Sequence, residues 1–237
     1  MYSRLKKLIS RILNGPATSH VPSVVSAVSA DALTFLETKA LNEIYQTVQT
    51  CEQLGLVGDM IEAGCAAGGS AIVITAAKNK ERKLRIYDVF ATIPPPTDAD
   101  GTDVKERYDV ITSGKATGIG ERGYYGYETD LQSKVVGNFA RHNLPVDQNN
   151  VELVKGLFQD TLTAEGPVAF AHLDGDWYES VKVCLERIVP KLVAKGILII
   201  DDYHAWSGCR KAVDEYFADK KDEFQFVRKA RLHIIRN

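Results

Sequence analysis

At 237 residues the chain is long enough to bury a full core, and α/β folds of this size commonly form one domain. Its 29 Lys and Arg nearly balance 31 Asp and Glu, so no overall field favours nucleic acid, and a small or weakly charged substrate is expected. Cys51, Cys65, Cys184 and Cys209 are scattered with no Cys-x-x-Cys pair, which argues against a disulfide framework or a thiolate zinc site and fits a reducing cytoplasm.

No apolar run approaches the roughly 18 to 20 residues that span a bilayer. Lys6, Lys7 and Arg11 interrupt what would be the core of a signal peptide. Leu5, Leu8, Ile9, Ile12 and Leu13 recur at helical spacing between these basic residues, which describes a short basic amphipathic helix. It is expected to pack on its own domain or on a sister subunit, leaving a homodimer open, with peripheral contact to a membrane as the alternative. Asn14-Gly15-Pro16 and a Ser/Val/Pro stretch to Ser29 read as a connector. Residues 1–30 are thus set apart from a core domain over 31–237.

From Leu33 to Leu54 apolar residues return every three or four positions, predicting a long helix that Gly55 and Gly58 end. Short apolar runs then alternate with helical ones. The strands are Met60-Ile61, Leu84–Val89, Val151–Val154, Val168–Leu173 and Ile197–Ile200, with helices at Ala71–Ala77, Thr129–Arg141, Tyr178–Val189 and Gly208–Phe217. This rhythm predicts an α/β fold, a mostly parallel twisted sheet with helices on both faces. Phe224–Val227 and Leu232–Ile235 predict an antiparallel hairpin at its edge. Residues 91–127, with Pro94-Pro95-Pro96 and no sustained apolar period, read as an insertion that covers or shapes a site and holds one short helix near Val104–Thr112.

Three clusters carry chemistry. Glu62-Ala63-Gly64-Cys65-Ala66-Ala67-Gly68-Gly69-Ser70 follows the first strand and opens a helix, where glycines let backbone approach a ligand. Its spacing is not the dinucleotide fingerprint, and Glu62 suits an ammonium or sulfonium cation, both of which S-adenosylmethionine offers. Asp88, at the end of the next strand, sits near the offset at which such folds place an acid on ribose hydroxyls, or else caps a helix. Asp174-Gly175-Asp176 and Asp201-Asp202 both follow apolar strands, at whose carboxyl ends open α/β sheets bind ligands. Four converging carboxylates ask for a cation, and oxygen ligands without cysteine favour Mg²⁺, Mn²⁺ or Ca²⁺ over a structural zinc site. His172 and His204 flank these acids and either could accept a proton or bind metal, His204 being the better candidate to line the site as a catalytic residue; an adenine ring could rest against Phe158 and Leu157.

Together Glu62-x-Gly64, Asp88-x-Phe90, Gly156-x-Phe158-x-Asp160-Thr161, His172-Leu173-Asp174-Gly175-Asp176-x-Tyr178-Glu179-Ser180 and Asp201-Asp202-Tyr203, followed by Gly208-Cys209-Arg210-Lys211-Ala212-Val213-Asp214, resemble the macrocin O-methyltransferase family from about Phe35 onward. The resemblance implies a Rossmann-like class I methyltransferase that modifies sugar hydroxyls of natural products with S-adenosylmethionine and Mg²⁺. It implies metal ligation by Asp174, Asp201 and Asp202 with Asp176 as general base. The donor contacts expected are Glu62, Gly64, Cys65, Ser70, Asp88, Phe158 and Asp174, and the acceptor is a small molecule, a sugar or other vicinal diol. The Gly64-Cys65-Ala66-Ala67 sequence departs from relatives that carry a bulkier, basic residue before the paired glycines. Two alternatives stand beside this: a metal-dependent glycosyltransferase using Asp174-x-Asp176, and a non-catalytic cofactor-binding protein.

Overall fold

Val168–Leu173 carries one polar residue, His172, and in the computed structural model it is β4, buried along its whole length at the centre of a seven-stranded sheet. The structure describes residues 21–237 except Glu121, so the amphipathic helix expected near the N-terminus lies outside the described residues. Flanking β4 are β1 (Asp59–Ala63), β2 (Leu84–Asp88), β3 (Val151–Lys155) and β5 (Leu192–Ile200), all parallel. Beyond β5 lie β6 (Phe224–Arg228) and β7 (Leu232–Arg236), an antiparallel pair whose β7 joins the sheet. The order is β3-β2-β1-β4-β5-β7-β6, so the winding reverses between β1 and β4, where such sheets open a crevice.

Alternation along β1 divides the core in two. Met60, on one face, packs with Ile86, Phe170 and Ile199 against α1 (Ser23–Ala30), α2 (Thr38–Gln53) and α3 (Gly69–Ala77). Ile61, on the other, packs with Tyr87, Ala171 and Ile200 against α7 (Tyr178–Ile188) and α8 (Ser207–Tyr216). Helices on both faces explain why the strands read as near-continuous apolar runs. Among the described residues no helix is long and apolar enough to cross a membrane.

One local expectation changes. The Ser23–Ala30 stretch is a helix and not a connector: Val25 and Val28, three apart, are fully buried against α3. Burying each contributes about 1.5–3 kcal/mol, enough to outweigh serine-rich composition. Residues 91–127 form α4 (Thr102–Thr112) and a short 3-10 turn, Tyr125–Tyr127, and dock on the sheet's carboxyl end. Trp177 Nε1 donates to Pro94 O at 2.9 Å. Asp100 and Asp103 reach the first turns of two other helices: Asp100 Oδ1 accepts from Tyr178 N at 2.8 Å and Asp103 Oδ2 from Ser207 N at 2.8 Å. These carboxylates satisfy helix donors that have no partner within their own helices. Space for this is set at Gly208, where a Cβ would lie 2.0 Å from Asp100 Oδ1. The remaining helices are α5 (Leu131–Arg141) and a four-residue α6 (Phe158–Thr161).

Candidate active site

The registers bring Ala63, Leu173 and Ile200 level at the carboxyl ends of β1, β4 and β5. The hydrogen-bond ladder runs one step further: Gly64 N donates to Tyr87 O, Asp174 N to Ala63 O and Asp201 N to Leu173 O, at 2.8–2.9 Å. Asp88, Gly64, Asp174 and Asp201 therefore stand in a row along the crevice. Gly64 holds φ at +85°, and a Cβ there would sit 1.9 Å from Asp174 O. The sequence needs glycine because two strand ends nearly touch.

A cleft runs along this row, lined by Gly64, Ala66, Asp88 and Val89, by Leu157 and Phe158, and by Asp174, Asp176 and Tyr125. Asp88 is buried, accepting from Cys65 N and Phe90 N at 2.7 Å each, one on either oxygen. Phe158 is held from behind, since Arg187 donates to Phe158 O, Gln159 O and Leu162 O at 2.7–3.0 Å and ties α6 to α7.

Asp174, Asp176 and Asp202 each bring one carboxylate oxygen within 4.8 Å of the others. Burial, then repulsion from Asp201 and Asp202, pushes Asp174 well above the usual carboxylate range. Burial, then Asp176 and Asp201, does the same to Asp202. Asp176, at φ +53°, is also raised by burial, which the Trp206 hydrogen bond partly offsets. Trp206 Nε1 donates to Asp176 Oδ1 at 3.0 Å, and its ring packs edge-on to Trp177 at 5.7 Å.

Several expected residues lie elsewhere. Glu62 is fully buried, with Oε1 accepting from Ser70 Oγ at 2.5 Å and Oε2 3.2 Å from His172 Nδ1, so neither it nor Ser70 faces the cleft. Cys65 contributes its backbone N–H to Asp88 while its thiol is buried, pushed well above its usual range by burial and then by Asp88. Asp201 is turned from the other three acids: its Oδ1 lies 2.7 Å from Arg231 Nε and 3.5 Å from His172 Nε2. Burial raises its pKa, yet His172 and Arg231 together hold it below the usual value. It anchors the cluster from outside because two cations compete for it. His204 is exposed, edge-on to Tyr203 at 5.0 Å, and does not line the cleft. Burial and the charges of Arg228, Arg210 and Arg231 lower its pKa.

A buried chain results. Ser70, Glu62, His172, Asp201 and Arg231 follow one another, and Arg231 ends on Glu37 at 3.0 Å. Burial opposes charge on His172, but the carboxylates of Glu62 and Asp201 raise its pKa to about 10. The imidazolium thus links the glycine turn to the acid pair. Sequence reasoning missed Trp206, Arg231, Arg187 and Asp100, none of which forms a motif with its neighbours.

A sheet of this order, with a glycine turn after β1 and acids after β2, β4 and β5, defines a class I methyltransferase fold. The solved O-methyltransferase NovP shares it, with a TM-score of 0.71 at 24% identity over 100% of this chain and 99% of that one. So does the calicheamicin methyltransferase CalS11, at 0.58 and 17% over 99% and 91%. The chain belongs to the macrocin O-methyltransferase family, whose model matches residues 26–226. It is 33% identical over 192 residues, 78% of this chain and 67% of the relative, to the Streptomyces olivaceus 8-demethyl-8-(2,3-dimethoxy-alpha-L-rhamnosyl)-tetracenomycin-C 4'-O-methyltransferase. Against the Micromonospora griseorubida mycinamicin III 3''-O-methyltransferase it is 30% identical over 194 residues, 78% and 70% of the two chains. It is an O-methyltransferase, and the glycosyltransferase and non-catalytic alternatives fall away.

Proposed function

We propose that the chain moves a methyl group from S-adenosylmethionine to a hydroxyl of a sugar or other vicinal diol, with Mg²⁺ or Mn²⁺ held by Asp174 and Asp202. The observation that carries this reading is the acid cluster, whose three oxygens lie within 4.8 Å of one another. Asp202 Oδ2 is buried without a hydrogen-bond partner among the described residues. An orphaned buried carboxylate oxygen is costly unless a cation meets it, and an all-oxygen donor set fits a hard divalent ion. Bound there, the ion would offset the clustered charge and acidify a nearby hydroxyl.

The chain's own residues supply the rest. Asp88 accepts the ribose hydroxyls, Phe158 and Leu157 carry the adenine, and the acidic wall favours the sulfonium charge. Asp176 takes the acceptor's proton as its oxygen forms the new C–O bond and the methyl–sulfur bond breaks. The proton ends on Asp176 and the leaving group is a neutral thioether. Trp206 occupies Asp176 Oδ1, leaving Oδ2 to face the substrate. Holding oxygen and methyl in line supplies much of the rate. The four cysteines are free and buried, in keeping with a cytoplasmic enzyme.

Calorimetric titration with S-adenosylhomocysteine, with Mg²⁺ and with chelator, tests the reading together with a methyl-transfer assay on vicinal diols. Micromolar binding insensitive to chelator, with transfer lost to chelator and restored by Mg²⁺, is expected. Transfer that persists in chelator removes the cation, and absence of binding under every condition removes the donor site.

A further inference from the structure

Between the turn joining α1 to α2 and the exposed side of α5, a second cavity of about 400 Å³ opens. It meets the donor cleft at Ala66 and Tyr125, which line both. The two walls have opposite charge. Asp88, Asp174 and Asp176 line the donor cleft with no lysine or arginine, whereas Arg122, Lys134 and Arg141 line the second cavity against one carboxylate, Glu128. Lys134 is paired with that Glu128, and Arg141 donates to Asn138 Oδ1. The Arg122 guanidinium forms no hydrogen bond or ion pair among the described residues.

At the mouth stands Phe35, 54% exposed and edge-on to Tyr125 at 6.3 Å. An exposed ring beside an open cavity offers a face on which a planar base stacks. Guanidinium groups, in turn, select phosphate over neutral hydroxyls by paired, charge-assisted hydrogen bonds.

We propose that the second cavity holds the non-reacting part of the acceptor and that the acceptor is a nucleoside diphosphate sugar. Its diphosphate meets Arg122 and Arg141, its base lies on Phe35, and its hexose passes Tyr125 to reach Asp176. The inference rests on the donor site proposed above. It places the reaction before glycosyl transfer: a sugar-nucleotide-forming reaction supplies the substrate, and a glycosyltransferase consumes the product.

The test is titration of the full chain, saturated with S-adenosylhomocysteine, using UDP, dTDP, uridine, a panel of UDP- and dTDP-hexoses, and the matching methyl hexosides. The diphosphates are expected to bind at least about tenfold tighter than uridine or the methyl hexosides. Arg122→Gln combined with Arg141→Gln, both exposed and therefore tolerated by the fold, is expected to erase about tenfold of that preference while leaving S-adenosylhomocysteine binding unchanged. Diphosphates that bind no better than uridine overturn the proposal, as does equal methylation of a methyl hexoside. Weakened S-adenosylhomocysteine binding in the variants also overturns it, assigning the cations to the donor's carboxylate. Failure of the unmodified chain to bind S-adenosylhomocysteine counts against the donor site instead.

Discussion

Trp206 and Asp176 are 30 residues apart and joined by an indole N–H donated at 3.0 Å to Oδ1. The bond settles which carboxylate oxygen is spent on the protein and which is left for chemistry. Trp206→Phe keeps an aromatic ring against Trp177 but removes the donor. Because that donor lowers the Asp176 pKa, its loss raises it, and the basic form appears at higher pH. A pH–rate profile displaced to the alkaline side, with turnover at neutral pH down about tenfold, is expected; an undisplaced profile disconnects Trp206 from the base.

Asp176→Asn removes the proton acceptor and keeps the shape. Turnover should fall about 10²- to 10⁴-fold, with S-adenosylhomocysteine affinity nearly intact by calorimetry. Unchanged turnover assigns the proton to another group.

Gly64→Ala forces a Cβ to within 1.9 Å of a main-chain oxygen at φ +85°. Urea denaturation should show a loss of at least about 3 kcal/mol, and donor binding should disappear with it. Near-normal stability implies that the β1 and β4 ends stand further apart.

His233 is fully buried, its Nε2 3.4 Å from Thr47 Oγ1, and burial followed by the charge of Lys229 lowers its pKa to about 4. The folded state favours the neutral ring, so this contribution is complete above the unfolded pKa near 6.5 and is lost as pH falls towards 4. It amounts to about 3 kcal/mol at most. Melting temperatures of the unmodified chain should drop across that window, and His233→Gln should flatten the drop; parallel curves deny His233 the role.

Asp100→Ala uncaps α7 and should cost about 1–2 kcal/mol. Turnover should fall further than donor affinity, because the first turn of α7 follows Asp176 directly. A purely thermal effect, with turnover intact at low temperature, separates the cap from the chemistry.

The sheet was legible because strands buried on both faces spell themselves as apolar runs; Val168–Leu173 is read from the sequence with the bounds the structure gives it. Asp174, Asp176 and Asp202 were legible because strand ends gather ligands. Asp201 and Asp202 look equivalent in sequence, yet Arg231, 30 residues on, claims only one of them. His204 misled for a related reason. It ends a 3-10 turn that begins at Asp202, and with about three residues per turn a two-residue step points a side chain away from its neighbour. Ser23–Ala30 hid its helix because only two of its residues, Val25 and Val28, are fully buried.

Asp100 and Asp103 give residues 91–127 a second duty, since one segment both walls the cleft and closes the first turns of α7 and α8. Loops carry binding residues on a rigid scaffold, so exchanging one between relatives offers a route to a new acceptor. Here a transplanted loop lacking those two acids would leave the catalytic helices frayed, and the chimera would be mistaken for one that rejects every substrate. Engineering of this enzyme therefore starts by transplanting around Asp100 and Asp103, with the two carboxylates kept as fixed mounting points.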